Sequence, residues 1–129
     1  MLRLWTFRLY VSAAGRSVVQ DWYDGQVEGA QAAFDTVLEY LAQRRRAEWG
    51  RPEFAPLSGK YSGLSELRFD HGKLEYRPIG CFGPARSDFT ILIGATKKGK
   101  NYDPRNTLDT ALERKKSVGQ VGRTDVYDF

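Results

Sequence analysis

Leu64-Ser65-Glu66-Leu67-Arg68-Phe69, then Asp70-His71-Gly72, then Lys73-Leu74-Glu75-Tyr76-Arg77-Pro78-Ile79 read as strand, turn and return strand. Alternating side chains over short runs with a Gly-containing turn between them are the signature of an antiparallel hairpin. Strand parity places Glu66 and Arg68 on one face and Leu67 and Phe69 on the other. In the return strand Glu75 and Arg77 share a face opposite Leu74 and Tyr76. Pro78 has no N–H for a ladder, so it belongs at a strand end, an edge or a bulge.

The rest of the fold follows outward from this hairpin. Gly59, Ser62 and Gly63 mark a turn region before it, and Gly80, Gly83 and Pro84 mark residues 80–87 as a turn after it. Phe89-Thr90-Ile91-Leu92-Ile93-Gly94-Ala95 is nearly all apolar, as a central strand covered on both faces should be. Asp103-Pro104 has the form of an N-cap followed by proline, opening a helix with Leu108, Ala111 and Leu112 as its apolar stripe. Upstream, Trp5, Phe7, Leu9 and Val11 alternate through a first strand at about residues 2–11. Ser17 and Gln20 form a capping-box pattern before a short helix ended by Asp24-Gly25. Ala30, Ala33, Phe34, Val37, Leu38, Leu41 and Ala42 then recur at helical spacing. That longer helix fades through Arg44, Arg45 and Arg46, which suit the negative end of a helix dipole.

The expected order is β-α-α-β-β-β-α. It is an α+β fold, with an N-terminal strand and helical hairpin packed on one face of a small antiparallel sheet and a C-terminal helix. Residues 1–117 are expected to form a single domain; residues 118–129 are a tail, read as an edge strand, a docked segment or a mobile end. The sheet's other face is expected to be free.

Composition limits the chemistry. With 41% hydrophobic and 28% charged residues the chain is an ordinary globular one, and a domain of this size buries about two-thirds of its unfolded surface. Cys81 and His71 each stand alone, so neither an internal disulfide nor a cysteine-based metal cluster is expected. No phosphate-binding loop, dinucleotide glycine fingerprint or metal-ligand spacing is present, so no cofactor and no metal are expected. Arg3 and Arg8 interrupt the N-terminal apolar residues, which therefore do not read as a leader. No apolar run is long enough to span a membrane. Cytoplasmic residence without membrane association is the expectation.

Charge placement is more informative. The net +4 lies wholly in residues 57–105, where nine Lys/Arg face five Asp/Glu; the flanking segments each balance to zero. The candidate cations are Lys60 before the hairpin, Arg68 and Arg77 within it, and Lys97, Lys98 and Lys100 after the central strand. Tyr61, Tyr76 and Tyr102 lie among them. Cations interleaved with aromatic rings suit RNA, because the cations meet phosphates while the rings stack on splayed bases. The alternative is structural: Glu66, Glu75, Arg68 and Arg77 as cross-strand ion pairs, with the lysines as solubilising charge.

Leu57-Ser58-Gly59-Lys60, Gly63-Leu64-Ser65-Glu66-Leu67-Arg68, Tyr76-Arg77, Thr96-Lys97-Lys98, Asp103-Pro104 and Ala111 before Arg114 together give a pattern that resembles the RelE/HigB-like toxins. These are toxins of type II toxin–antitoxin modules, including phage-derived relatives. The resemblance covers roughly residues 17–116. It implies an endoribonuclease acting on messenger RNA, commonly on the ribosome, and held inactive by a cognate antitoxin protein. On the resemblance, Lys60, Arg68, Lys97, Lys98 and Tyr102 are the catalytic candidates, with Arg77, Lys100, Tyr61 and Tyr76 as RNA contacts. The implied chemistry is attack of the RNA's own 2′-hydroxyl on the adjacent phosphate, without a metal. Arg68 clamps the phosphate, Lys97 or Lys98 neutralises developing charge, and Lys60 is a base if crowding among cations lowers its pKa. Two other readings fit the same face: a non-catalytic interaction protein and a gyrase-directed toxin.

Overall fold

The computed structural model describes residues 2–129. Strand β1 (Thr6–Tyr10) leads into helices α1 (Val18–Asp24) and α2 (Glu28–Ala42). Then follow β2 (Phe54–Pro56), β3 (Ser65–Leu67), β4 (Phe69–His71), β5 (Leu74–Tyr76), β6 (Ile79–Phe82) and β7 (Asp88–Ile93). Strands β8 (Thr96–Lys98) and β9 (Asn101–Asp103), helix α3 (Thr107–Lys115) and strand β10 (Thr124–Val126) complete the chain. The class is α+β, as expected, but the strands divide between two sheets. The larger runs β10-β1-β7-β6-β3-β2 and the smaller β4-β5-β8-β9. The β1–β7 pair is parallel, so the larger sheet is mixed rather than purely antiparallel.

The hairpin read from sequence is real, yet each of its arms is cut in two. The first arm changes sheets at Arg68, between β3 and β4, and the second at Arg77-Pro78, between β5 and β6. The larger sheet's ladders run up to this crossover, with the Arg68 backbone N–H donating to Glu53 O at 2.8 Å and the Leu67 N–H to Pro78 O at 2.9 Å. Pro78 therefore sits where a strand breaks, the position its missing N–H favours. Residues 80–82, expected in a turn, instead continue from Ile79 as β6 against β7; the turn is confined to the residues after Phe82.

Helix α2 buries Ala30, Phe34, Val37, Leu38, Leu41 and Ala42, the stripe expected of it apart from half-buried Ala33. Leu38 is fully buried. Beside it Phe7, Trp49, Phe54, Phe82 and Phe89 pack ring against ring, with Phe82–Phe89 centroids 5.0 Å apart in an edge-to-face pair. Of the arginines after α2, Arg44 serves its C-terminal end, with Nη1 donating to Tyr40 O at 2.7 Å. Trp49 Nε1 donates to Leu41 O at 3.0 Å, while Arg44 lies over the Tyr40 ring and Arg46 over Phe82. Ser17 precedes α1 but makes no side-chain cap bond. At α3 the N-cap is Asn106, three residues later than the Asp103-Pro104 reading, because Asp103 is the last residue of β9.

Every residue of β7 is buried, because helices lie over both faces. On one face α1 packs against β1 and β7, and Leu38 and Leu41 of α2 belong to the same buried cluster as Ile91. On the other, α3 brings Arg114 over the Tyr10 ring, and Arg114 Nη1 donates to Leu92 O at 2.8 Å. The larger sheet thus has no free face, contrary to the sequence reading; α3 takes it. The tail after Ser117 ends in β10 on β1, with Arg8 opposite Val126. Tyr127 Oη donates to Asp35 Oδ1 at 2.5 Å and Tyr23 Oη to Asp35 Oδ2 at 2.9 Å, which ties this strand to α2. No helix among the described residues is long and apolar enough to cross a membrane.

Candidate functional site

The smaller sheet brings the sequence candidates together. Glu75 pairs with Lys97 across β5–β8, and Lys97 with Tyr102 across β8–β9. Residues directly opposite in a ladder share a face, so Glu75, Lys97 and Tyr102 form one row. Lys98 pairs with Asn101 in the next row and points to the opposite face. Lys97 Nζ stands 4.9 Å above the Tyr102 ring centroid, within cation–π range.

Glu66 ties this row to the larger sheet. Its side chain is almost wholly buried, and its two oxygens divide two partners. Oε1 accepts from Arg68 Nη1, and Oε2 accepts from Tyr102 Oη at 2.5 Å. Burial and then the bond to Glu66 push the Tyr102 phenol well above its ordinary pKa. It is a proton-bearing group throughout the physiological range. Arg68 remains about one-quarter exposed, with guanidinium nitrogen left over for an anion.

Other candidates have different surroundings. Lys60 pairs with Asp109 Oδ1 at 3.3 Å, and Tyr61 Oη donates to the same oxygen at 2.6 Å. The hydrogen bond and charge of Asp109 raise the Lys60 pKa. Lys60 is therefore not a base with a lowered pKa, and that expectation is corrected: it sits against a carboxylate rather than among cations. Tyr61 and Lys60 in turn hold the Asp109 carboxyl below the usual range.

Arg77 is 4% exposed. It donates to Tyr76 O at 2.6 Å, to Phe69 O and Asp70 Oδ1 at 3.1 Å, and to Glu75 Oε1 at 3.0 Å. These bonds staple the point where β5 leaves for the larger sheet. Tyr76 is buried, with its ring stacked on Phe69 at 5.0 Å and edge-on to Trp22. Neither is presented to an RNA: Arg77 is consumed by backbone carbonyls, and Tyr76 by the helices beneath the sheet. Lys100 is exposed after Gly99, whose positive φ of 59° makes the β8–β9 turn.

The cations thus divide into two groups. Lys60, Arg68 and Arg77 are paired with carboxylates. Lys73, Lys97, Lys98, Lys100 and Arg105 make no ion pair among the described residues. All five line hollows around β9. One hollow of about 540 Å³ holds Lys73, Lys97 and Lys98, and a groove of about 610 Å³ holds Lys100 and Arg105. Arg105, Asp109 and the bridging role of Glu66 were not anticipated. Nothing in the local sequence around Glu66 distinguishes a shared buried carboxylate from a surface ion pair.

The fold and site define an α+β protein whose small second sheet presents unpaired cations around a held tyrosine. The chain belongs to the family described as Phage derived protein Gp49-like (DUF891), which it matches over residues 21–116. The match runs from α1 to the end of α3 and contains every residue of the site just described. No curated protein and no solved structure matches the chain.

Proposed function

We propose that this protein is a RelE/HigB-like toxin that cleaves messenger RNA on the ribosome by metal-independent attack of the RNA 2′-hydroxyl. Membership of the Gp49-like family, a toxin-like family associated with toxin–antitoxin systems, supports a toxin with a cognate antitoxin partner. The observation that carries the nuclease reading is the convergence on Tyr102. Arg68 and Tyr102 share Glu66, and the unpaired Lys97 stands over the Tyr102 ring.

In the reaction, the 2′-oxygen forms a bond to phosphorus while the bond from phosphorus to the 5′-oxygen breaks. The products are a 2′,3′-cyclic phosphate and a 5′-hydroxyl end. Arg68 and Lys97 stabilise the extra negative charge on the non-bridging oxygens. Tyr102, its proton held by burial and by Glu66, offers its ring for stacking on a base beside the cut, and water supplies the proton to the departing 5′-oxygen. The 2′-hydroxyl proton passes to water, because Lys60 keeps its own proton beside Asp109. Lys98, on the opposite face from Lys97, contacts the RNA backbone rather than the reacting phosphate. Expression in cells followed by primer extension on abundant messengers tests this. Discrete new 5′ ends within coding regions are expected, and intact messengers during full growth arrest would reject it.

A further inference from the structure

Asn101 and Tyr102 line both hollows around β9, so this edge strand is a ridge between them. One hollow, with Lys97, adjoins the proposed reacting phosphate. The groove across the ridge takes its remaining walls from Tyr61, Lys100, Arg105, Leu108 and Asp109.

Its side chains are of three kinds. Two are tethered rings. Tyr61 Oη is spent on Asp109 at 2.6 Å and Tyr102 Oη on Glu66 at 2.5 Å, so each ring is held at its polar end. Rings ordered before a ligand arrives make efficient stacking platforms, because little freedom is left to lose. Two are exposed cations, Lys100 and Arg105, without ion-pair partners among the described residues. The third is an acceptor. Both Lys60 and Tyr61 engage Asp109 Oδ1, and no described residue donates to Oδ2. The lowered pKa of that carboxyl keeps it ionised and acceptor-only.

We propose that the groove is a subsite for one splayed nucleotide of single-stranded RNA adjoining the cut, and that Asp109 makes it select an amino-bearing base. The inference rests on the RNA-cleaving reading above and adds a second nucleotide and a specificity to it. The base stacks on a tyrosine ring, Lys100 and Arg105 meet the flanking phosphates, and Asp109 Oδ2 accepts from an exocyclic amine. Cytosine, adenine and guanine carry such an amine. Uracil differs from cytosine by placing a carbonyl oxygen at that position, which a carboxylate repels.

The test titrates fully 2′-O-methylated oligo(C) and oligo(U), which cannot be cut, onto the full chain and follows fluorescence anisotropy. Wild type should bind oligo(C) about tenfold tighter than oligo(U), one good hydrogen bond's worth. Asp109→Asn should bring the two to near parity. Tyr61→Ala should weaken both by about 5- to 100-fold, the range for losing one stacked base. Arg105→Ala should weaken both equally and flatten the salt dependence. Thermal melts of each variant verify folding, and cutting of unmodified messenger is assayed in parallel. Cutting intact while the variants leave affinity and the C/U ratio unchanged overturns the subsite and spares the nuclease reading. Cutting without measurable oligomer binding does the same. Neither binding nor cutting by wild type removes both.

Discussion

Tyr102 on the smaller sheet and Glu66 on the larger one, 36 residues apart in sequence, meet through a 2.5 Å hydrogen bond. The phenol donates and the buried carboxylate accepts, with Arg68 on the other carboxylate oxygen. The carboxylate's charge is one of the causes that hold the Tyr102 proton in place, after burial. Glu66→Gln keeps an acceptor but removes the charge. Tyrosinate ultraviolet titration should therefore show one tyrosine ionising at lower pH in Glu66→Gln than in wild type. An unchanged titration would mean that burial alone sets the phenol's pKa.

Arg68 and Arg77, nine residues apart, should be separable by truncation. Arg68→Ala strips one partner from the buried Glu66 carboxylate and should lower the melting temperature, yet at temperatures where the variant is fully folded it should still lower cleavage about 10²- to 10³-fold. Arg77→Ala strands the Tyr76 and Phe69 carbonyls at the sheet junction. It should destabilise the fold by about 1–3 kcal/mol, read by urea denaturation, with any loss of activity tracking the unfolded fraction.

The core prediction is independent of function. Leu38 is fully enclosed between α2 and the larger sheet, so Leu38→Ala should cost about 2–5 kcal/mol in the same denaturation assay. A loss under about half a kcal/mol would contradict the packing described.

Burial pushes the Cys81 thiol from 9.0 up to about 11. Below pH 9 the thiol is neutral in both folded and unfolded chains, so it adds no pH dependence. Between about pH 9 and 11 the unfolded chain releases a proton that the folded chain retains, and stability must fall as pH rises. The loss from this group should level off at roughly 2–3 kcal/mol. Cys81→Ala, although less stable throughout, should show a shallower decline over that interval. Equal slopes in the two proteins would show that the thiol is not desolvated.

Helical spacing in residues 30–42 identified α2 and its buried face, and the apolar run at 89–95 identified the central strand, because both signals are local. What escaped was set by partners remote in sequence. The parallel pairing of β1 with β7 joins segments some 80 residues apart and leaves no mark in either. Strand β2 is three residues long and ends in Pro56, and the β8–β9 hairpin carries lysines where a buried strand would carry apolar side chains. Parity placed Tyr76 toward the helices and Arg77 on the other face, yet could not show that Arg77 would be enclosed by carbonyls at the sheet crossover. The cationic character of the site was legible in the charge excess of residues 57–105. Which of those cations are already paired was not.

The central claim is that the substrate's own 2′-hydroxyl is the nucleophile, and one substitution addresses it. A messenger carrying a single 2′-deoxy nucleotide on the 5′ side of a mapped cut should bind as before and remain uncut there, while neighbouring sites are still cleaved. Cleavage that persists at the 2′-deoxy position would contradict the account, whatever the fold and the RNA binding prove to be.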